Sequence, residues 1–215
     1  MQYILPIREG EQKQMGRREQ TEQRILDTFE DILVNEGFQK LKINYVASKA
    51  KVDKVLIYRY FGGLEQLAEK YAESGIFWPS VEESIGELTL ADFENDLEQA
   101  VATLIRQHIS AIRTRKATAA ILAWELIESS PVGNVLAKAR EAHVQALFAF
   151  LVKTGRFNTT LLNSFGAILG ASLNYLVIRA GNESVFSGIP VQTDAGWQML
   201  EEMYTKMALS ILVPG

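Results

Sequence analysis

Residues 43–61 leave room for two helices of about two turns each, with almost no connection between them. Ile43, Val46, Ala47 and Ala50 fall on one face of the first segment. A break follows at Lys51-Val52. Asp53 then suits the N-cap of the next helix, where its carboxylate can accept from the free amides of Val55 or Leu56. That helix, residues 54–60, stops before Gly62-Gly63. Val46, Ala47, Val52, Ile57 and Phe61 supply an apolar seam, and Ala47 is small enough to let the two backbones approach. Two short helices and a tight turn make a helix-turn-helix layout. The outward face of its second helix presents Lys54, Tyr58, Arg59 and Tyr60.

The remainder of the chain reads as helix. Over residues 18–36, Ile25, Phe29, Ile32 and Leu33 recur at i, i+4, i+7 and i+8, and Gly37 supplies a left-handed stop. Residues 1–17 show no periodicity and read as a mobile N-terminal arm. Further helices are expected over residues 64–74, 91–115, 118–128, 131–154, 159–180 and 194–212, with residues 81–90 ambiguous. No stretch alternates as a strand does. The expectation is an all-α chain: a three-helix helix-turn-helix domain over residues 18–63, then a larger helical domain over residues 64–215.

Charge is unevenly placed. The net charge is -4, yet residues 37–60 hold Lys40, Lys42, Lys49, Lys51, Lys54 and Arg59 against the single acid Asp53. A basic patch on an acidic chain is the footprint of a phosphate-binding module, although a lysine cluster this small is also an ordinary solvated surface. The absence of cysteine excludes disulfides, thiolate metal sites and a cysteine nucleophile. The N-terminus has no signal-peptide pattern, and no run of about 18 apolar residues suggests a membrane span. A cytoplasmic protein with no membrane partner is expected.

The stretch 37–67 reads GFQKLKINYVASKAKVDKVLIYRYFGGLEQL. Gly37-Phe38, Val46-Ala47 with Ala50, and Tyr58-Arg59-Tyr60-Phe61 followed by Glu65 and Leu67 stand in an order and spacing that resembles the DNA-binding segment of the TetR-type (tetracycline-repressor-like) transcriptional regulators. With residues 25–36, the resemblance runs over residues 25–67. It implies a helix laid in the major groove of double-stranded DNA, with Tyr58 and Tyr60 on phosphates or bases. Lys54 and Arg59 are candidates for base readout, Arg59 because its fork can hold a guanine edge bidentately. Lys42 would sit near the backbone. The chain departs from the family pattern at Lys51, where glycine is usual, at Leu56 (threonine), at Leu64 (lysine) and at Leu41-Lys42 (a Thr-Ser or Thr-Thr pair).

The resemblance further implies that the larger domain senses a ligand and dimerises. Phe165, Gly166, Leu169, Gly170 and Leu173 on one helix, with Leu200, Met203 and Met207 on the last, would form a four-helix homodimer interface. The spacing of Gly166 and Gly170 also occurs in membrane dimers, but Asn163, Asn174 and Arg179 on the same helix oppose that. Trp78, His108, Trp124, Glu125, Phe148 and Tyr175 offer aromatic walls and a few polar groups for an unknown small-molecule effector. For each taken singly, packing inside the subunit is the plainer account. Catalysis by Glu125 and His108 finds little support: there are two histidines, no phosphate-cradling loop and no zinc-protease motif. The adjacent carboxylates Glu82-Glu83 and Glu201-Glu202 would point apart on a helix. No cofactor or metal is expected. The leading reading is a ligand-responsive repressor that binds a palindromic operator as a dimer. The alternative is a helical dimeric interaction or small-molecule-binding protein with weakened DNA binding, of which Leu56 and Leu64 would be symptoms.

Overall fold

A computed structural model describes residues 16–212; among these lie eleven α-helices and no strand. The chain is all-α, with a three-helix helix-turn-helix head and a larger helical body. The expected arm over residues 1–17 falls outside the described residues, except for Gly16, which caps the first helix, and Arg17, which begins it.

Helix α1 (Arg17–Glu36) opens with Glu19 Oε2 accepting from the Gly16 N–H at 2.9 Å. It buries Ile25, Leu26, Phe29, Ile32 and Leu33, and stops where Gly37 takes φ 80. A short 3-10 turn (Phe38–Lys40) leads into α2 (Ile43–Lys49) and α3 (Lys54–Phe61). The Asp53 carboxylate accepts from the Val55 N–H at 2.8 Å, and the Val52 N–H donates to the Ala47 carbonyl at 3.0 Å. Val46, Ala47 and Ile57 are buried between the two helices, with Val52 and Phe61 half-buried against them. Lys51 stands in the turn with φ 53, the left-handed region in which a side chain costs about 1 kcal/mol. The turn forms without its glycine.

Beyond the head run α4 (Leu64–Glu73), α5 (Val81–Ile85), α6 (Leu90–Asn95), α7 (Leu97–Arg113), α8 (Lys116–Ile127), α9 (Pro131–Lys153), α10 (Thr159–Ala180) and α11 (Asp194–Leu212). Two stretches differ from expectation. The ambiguous residues 81–90 contain α5, started by Ser80, whose hydroxyl oxygen accepts from the Glu83 N–H at 3.1 Å. The expected helix over residues 91–115 is two helices, because Asp96 leaves helical geometry (φ -147) and caps α7 by accepting from the Gln99 N–H at 3.0 Å. A free helix end gains more from such a cap than a continuous helix gains from an aspartate in its interior.

Helix α9 packs along α4, α11 along α7, and α10 against α8 and α11. The head joins the body where α1 meets α8 and where α3 and α1 meet α4, which packs along α9. At the first junction the Trp124 ring of α8 lies so close over Gly37 that a Cβ there would stand 2.9 Å from it. Helix α10 is long and apolar enough, by length and mean hydropathy (1.5), to cross a membrane. Counting uninterrupted apolar residues passes over it because Asn163, Ser164, Ser172 and Asn174 break the run. It buries Leu162, Phe165, Leu173, Leu176 and Val177 within its own subunit.

Candidate nucleic-acid interface and cavity

The second helix of the helix-turn-helix turns Ile57 inward, and the 3.6-residue period therefore aims the opposite side at solvent. Lys54 and Arg59 are exposed, and Tyr58 keeps 53% of its surface. Lys42, at the N-cap of α2, is exposed as well. Tyr60 differs: three residues on from Ile57, it sits at the edge of the buried face, half-buried, with the Arg18 guanidinium 5.1 Å from its ring centre. Val55, not singled out by the sequence, is 52% exposed between Lys54 and Tyr58 on the outward face. The available signal was an apolar residue three positions before Tyr58, on the same side of the helix. Such a methyl pair is the kind of surface that meets a thymine methyl. Leu64, one of the departures from the family pattern, packs half-buried against the core.

The basic patch is smaller than its composition suggests. Lys49 faces back to α1, with its ammonium 2.7 Å from the Asp31 carboxylate and in contact with Glu36, which also accepts from the Tyr45 hydroxyl at 2.7 Å. The Lys49 hydrogen bond holds both carboxyls below their ordinary range, and those two acids raise the lysine in turn. Lys49 therefore ties α2 to α1.

A cavity of about 70 Å3 lies in the body between α7, α9, α10 and α11. Leu104, Ile105, Leu147, Leu162 and Phe165 wall it together with His108 and Phe148, two of the six residues expected at an effector site. The other four stand elsewhere. Trp78 is buried behind His108, ring centres 6.2 Å apart, under the Arg140 guanidinium. Glu125 accepts two hydrogen bonds from Arg140, at 3.1 and 2.8 Å. Trp124 rests on Gly37 at the head–body junction, and Tyr175 is 46% exposed on the outer face of α10.

Behind the cavity wall is a polar group that sequence reading did not assemble. The Ser84 hydroxyl of α5 lies 3.5 Å from His108 Nδ1 and 3.3 Å from His143 Nε2, and the two imidazoles stack with centres 6.1 Å apart. No sequence spacing pairs histidines on α7 and α9. His108 is enclosed by protein yet keeps some accessible surface, and it lines the cavity without exposing a ring nitrogen to it. Burial, with the His143 imidazole adding to it, depresses the His108 pKa to about 4. Burial lowers His143 too, against the opposing pull of Glu82 and Glu83.

A histidine depressed from 6.5 to about 4 binds its proton more readily when the chain is unfolded. The stability linked to neutral His108 is therefore complete above pH 6.5 and is lost as pH falls towards about 4. The expected loss is up to about 3 kcal/mol. Urea titrations at steps across this interval should show His108→Gln losing less stability than the parent chain. Parallel losses in the two proteins would refute the assignment.

The outer face of α10 and α11 is apolar and exposed: Ile168 60%, Met199 53%, Met203 55%, with Leu161 and Tyr175 beside them. Of the expected interface residues, Met203 lies on this face, and Leu169, Leu200, Met207 and Gly170 are partly exposed. Phe165 and Leu173 point inward, Phe165 into the cavity wall and Leu173 (1% exposed) into the core. Gly166 is small for an internal reason, since a Cβ there would stand 2.3 Å from the Phe148 ring. Helix α10 is apolar on most sides, so its stripe alone did not say which side faces its own subunit.

No protein-family model matches the chain, and no curated protein matches it. Solved structures do. NalD, the secondary repressor of the MexAB-OprM multidrug efflux pump in Pseudomonas aeruginosa, superposes with a TM-score of 0.61 at 17% identity over 91% of this chain and 96% of its own. The fatty acid degradation regulator FadR from Bacillus halodurans gives 0.60 at 17% identity over the same shares. A TetR family transcription regulator from Marinobacter aquaeolei VT8 gives 0.55 at 18% identity, covering 93% of this chain and 98% of its own. The fold is the one these regulators share.

Proposed function

We propose that this chain, which has the fold of the TetR-type transcriptional regulators, is a ligand-responsive repressor that binds a palindromic DNA duplex as a homodimer. The observation that carries the reading is the outward face of α3. Lys54, Val55, Tyr58 and Arg59 stand exposed on a helix whose start is fixed by Asp53 and whose inner side is sealed by Ile57. Cations, a phenol and an apolar group on one rigid helix suit a major groove, where phosphate contacts position and base edges specify.

Residues 18–63 form the DNA-binding domain in this reading, and residues 64–215 the regulatory and dimerisation domain. The exposed face of α10 and α11 joins two copies, which places two reading helices on successive half-sites of the duplex. A small-molecule effector occupies the cavity and acts on DNA affinity through the junction of α1 with α8 and through α9 and α4, which meets α3. The chain is not an enzyme in this reading, and α10 covers a second subunit, not a lipid core. Selection of bound duplexes from a random pool tests the proposal. A palindromic consensus supports it, whereas an unenriched pool from a folded dimer would favour the weakened-binding alternative, in which Leu56 and Leu64 have removed too much backbone grip.

A further inference from the structure

We infer that Arg18, in the first turn of α1, holds a phosphate of the duplex backbone at the edge of the major groove, together with the hydroxyl of the tyrosine its guanidinium rests on, Tyr60. The inference rests on the reading of α3 as the DNA-reading helix and adds a contact that comes from outside the helix-turn-helix.

Tyr60 does not share the outward face with Lys54, Tyr58 and Arg59. It sits half-buried on the flank of the last turn of α3, and there it meets the start of α1. The Arg18 guanidinium lies 5.1 Å from the Tyr60 ring centre, and its Nε donates to Glu22 Oε1 at 2.7 Å. These contacts take one face of the guanidinium and its Nε. The two terminal nitrogens have no hydrogen-bond partner among the described residues, nor has the Tyr60 hydroxyl. The Arg18 side chain keeps 69% of its surface, so that edge is open to solvent. A planar fork with a free edge matches two oxygens of a phosphate, and the phenol supplies a further donor beside it.

The stability of α1 does not explain this arrangement. A cation in the first turn stands at the positive end of the helix dipole, and an exposed pair such as Arg18–Glu22 contributes little to folding. What the two contacts do is fix an exposed cation against the flank of α3. Lys49 is the contrast: its ammonium is enclosed between two carboxylates, whereas Arg18 has one and keeps an edge free. A major groove about 12 Å wide is nearly filled by a helix about 10 Å across, so a side chain resting on the flank of α3 comes against the phosphates that border the groove.

Fluorescence anisotropy of the full-length protein on its selected duplex tests the inference at several salt concentrations. Further duplexes carry a neutral methylphosphonate at one backbone position at a time. Arg18→Ala should weaken binding about thirtyfold, equally across sequences, and make the fall of log K with log salt shallower by about one to two. Arg17→Ala, at the neighbouring exposed arginine that no aromatic ring holds, should change both less. Tyr60→Phe, which keeps the ring under Arg18 and removes its hydroxyl, should weaken binding about threefold. At one position in each half-site, the methylphosphonate should weaken the parent and leave Arg18→Ala indifferent. An Arg18→Ala variant with the salt slope of the parent overturns the inference, because a packing role would lower affinity without changing released counterions. A changed sequence preference in that variant overturns it as well, since a phosphate carries no sequence. A parent that binds duplex as tightly as Arg18→Ala does refutes this inference alone, while a folded parent that binds no duplex refutes the regulator reading.

Discussion

Alanine at both Tyr58 and Arg59 is expected to lower affinity for the selected duplex by about a hundredfold or more, while the thermal midpoint stays within a few degrees of the parent. The two side chains project from α3 into solvent, so their removal opens no cavity in the protein. A bidentate arginine on a base edge and a phenol on a phosphate or base together account for a loss of that order. Fluorescence anisotropy on labelled duplex reads the affinity, and calorimetry reads the fold. Two single replacements refine the picture. Tyr58→Phe keeps the ring and should lose a small part of the affinity. Arg59→Lys keeps the charge but not the fork, and should relax sequence preference more than total binding. If the double variant binds as the parent does, α3 is not the reading helix.

The second large effect concerns assembly. Lysine at both Ile168 and Met203 should convert the dimer to a monomer and reduce operator affinity by about a thousandfold, since each head then binds without its partner. The two side chains are 60% and 55% exposed, one on α10 and one on α11, so the subunit core does not need them. Buried in a twofold interface, four added ammonium groups would face apolar neighbours and one another, which no rearrangement of methionines can satisfy. Sedimentation velocity reads the mass, and circular dichroism checks that the helices remain. A stable dimer in the double variant would move the interface off this face.

Much of the head was legible because local rules decide it. Asp53 caps α3, Gly37 ends α1 and Gly62 ends α3, each through backbone chemistry that the residue itself brings. The break at Asp96 had the same kind of signal, with Thr89 and Asp92 pairing at the start of α6, but apolar periodicity ran through it and hid the cap. The body was harder. Whether Phe165 meets a second subunit, a ligand or its own core depends on where α9 and α11 lie, and no residue of α10 encodes that alone. His108 could be suspected as a polar point in an apolar helix. Its partners Ser84 and His143 come from α5 and α9, and their meeting is a product of packing.

Lys49, turned back onto Asp31 and Glu36, bears on how binding should respond to salt. Each phosphate neutralised releases condensed counterions and steepens the fall of log K with log salt by about 0.9. Two copies of a lysine that already sits between carboxylates release none, so the slope should be shallower by nearly two than a count of basic residues would give. Exchanging Asp31 and Glu36 for their amides would free that ammonium and steepen the dependence, at the expense of the tether between α1 and α2.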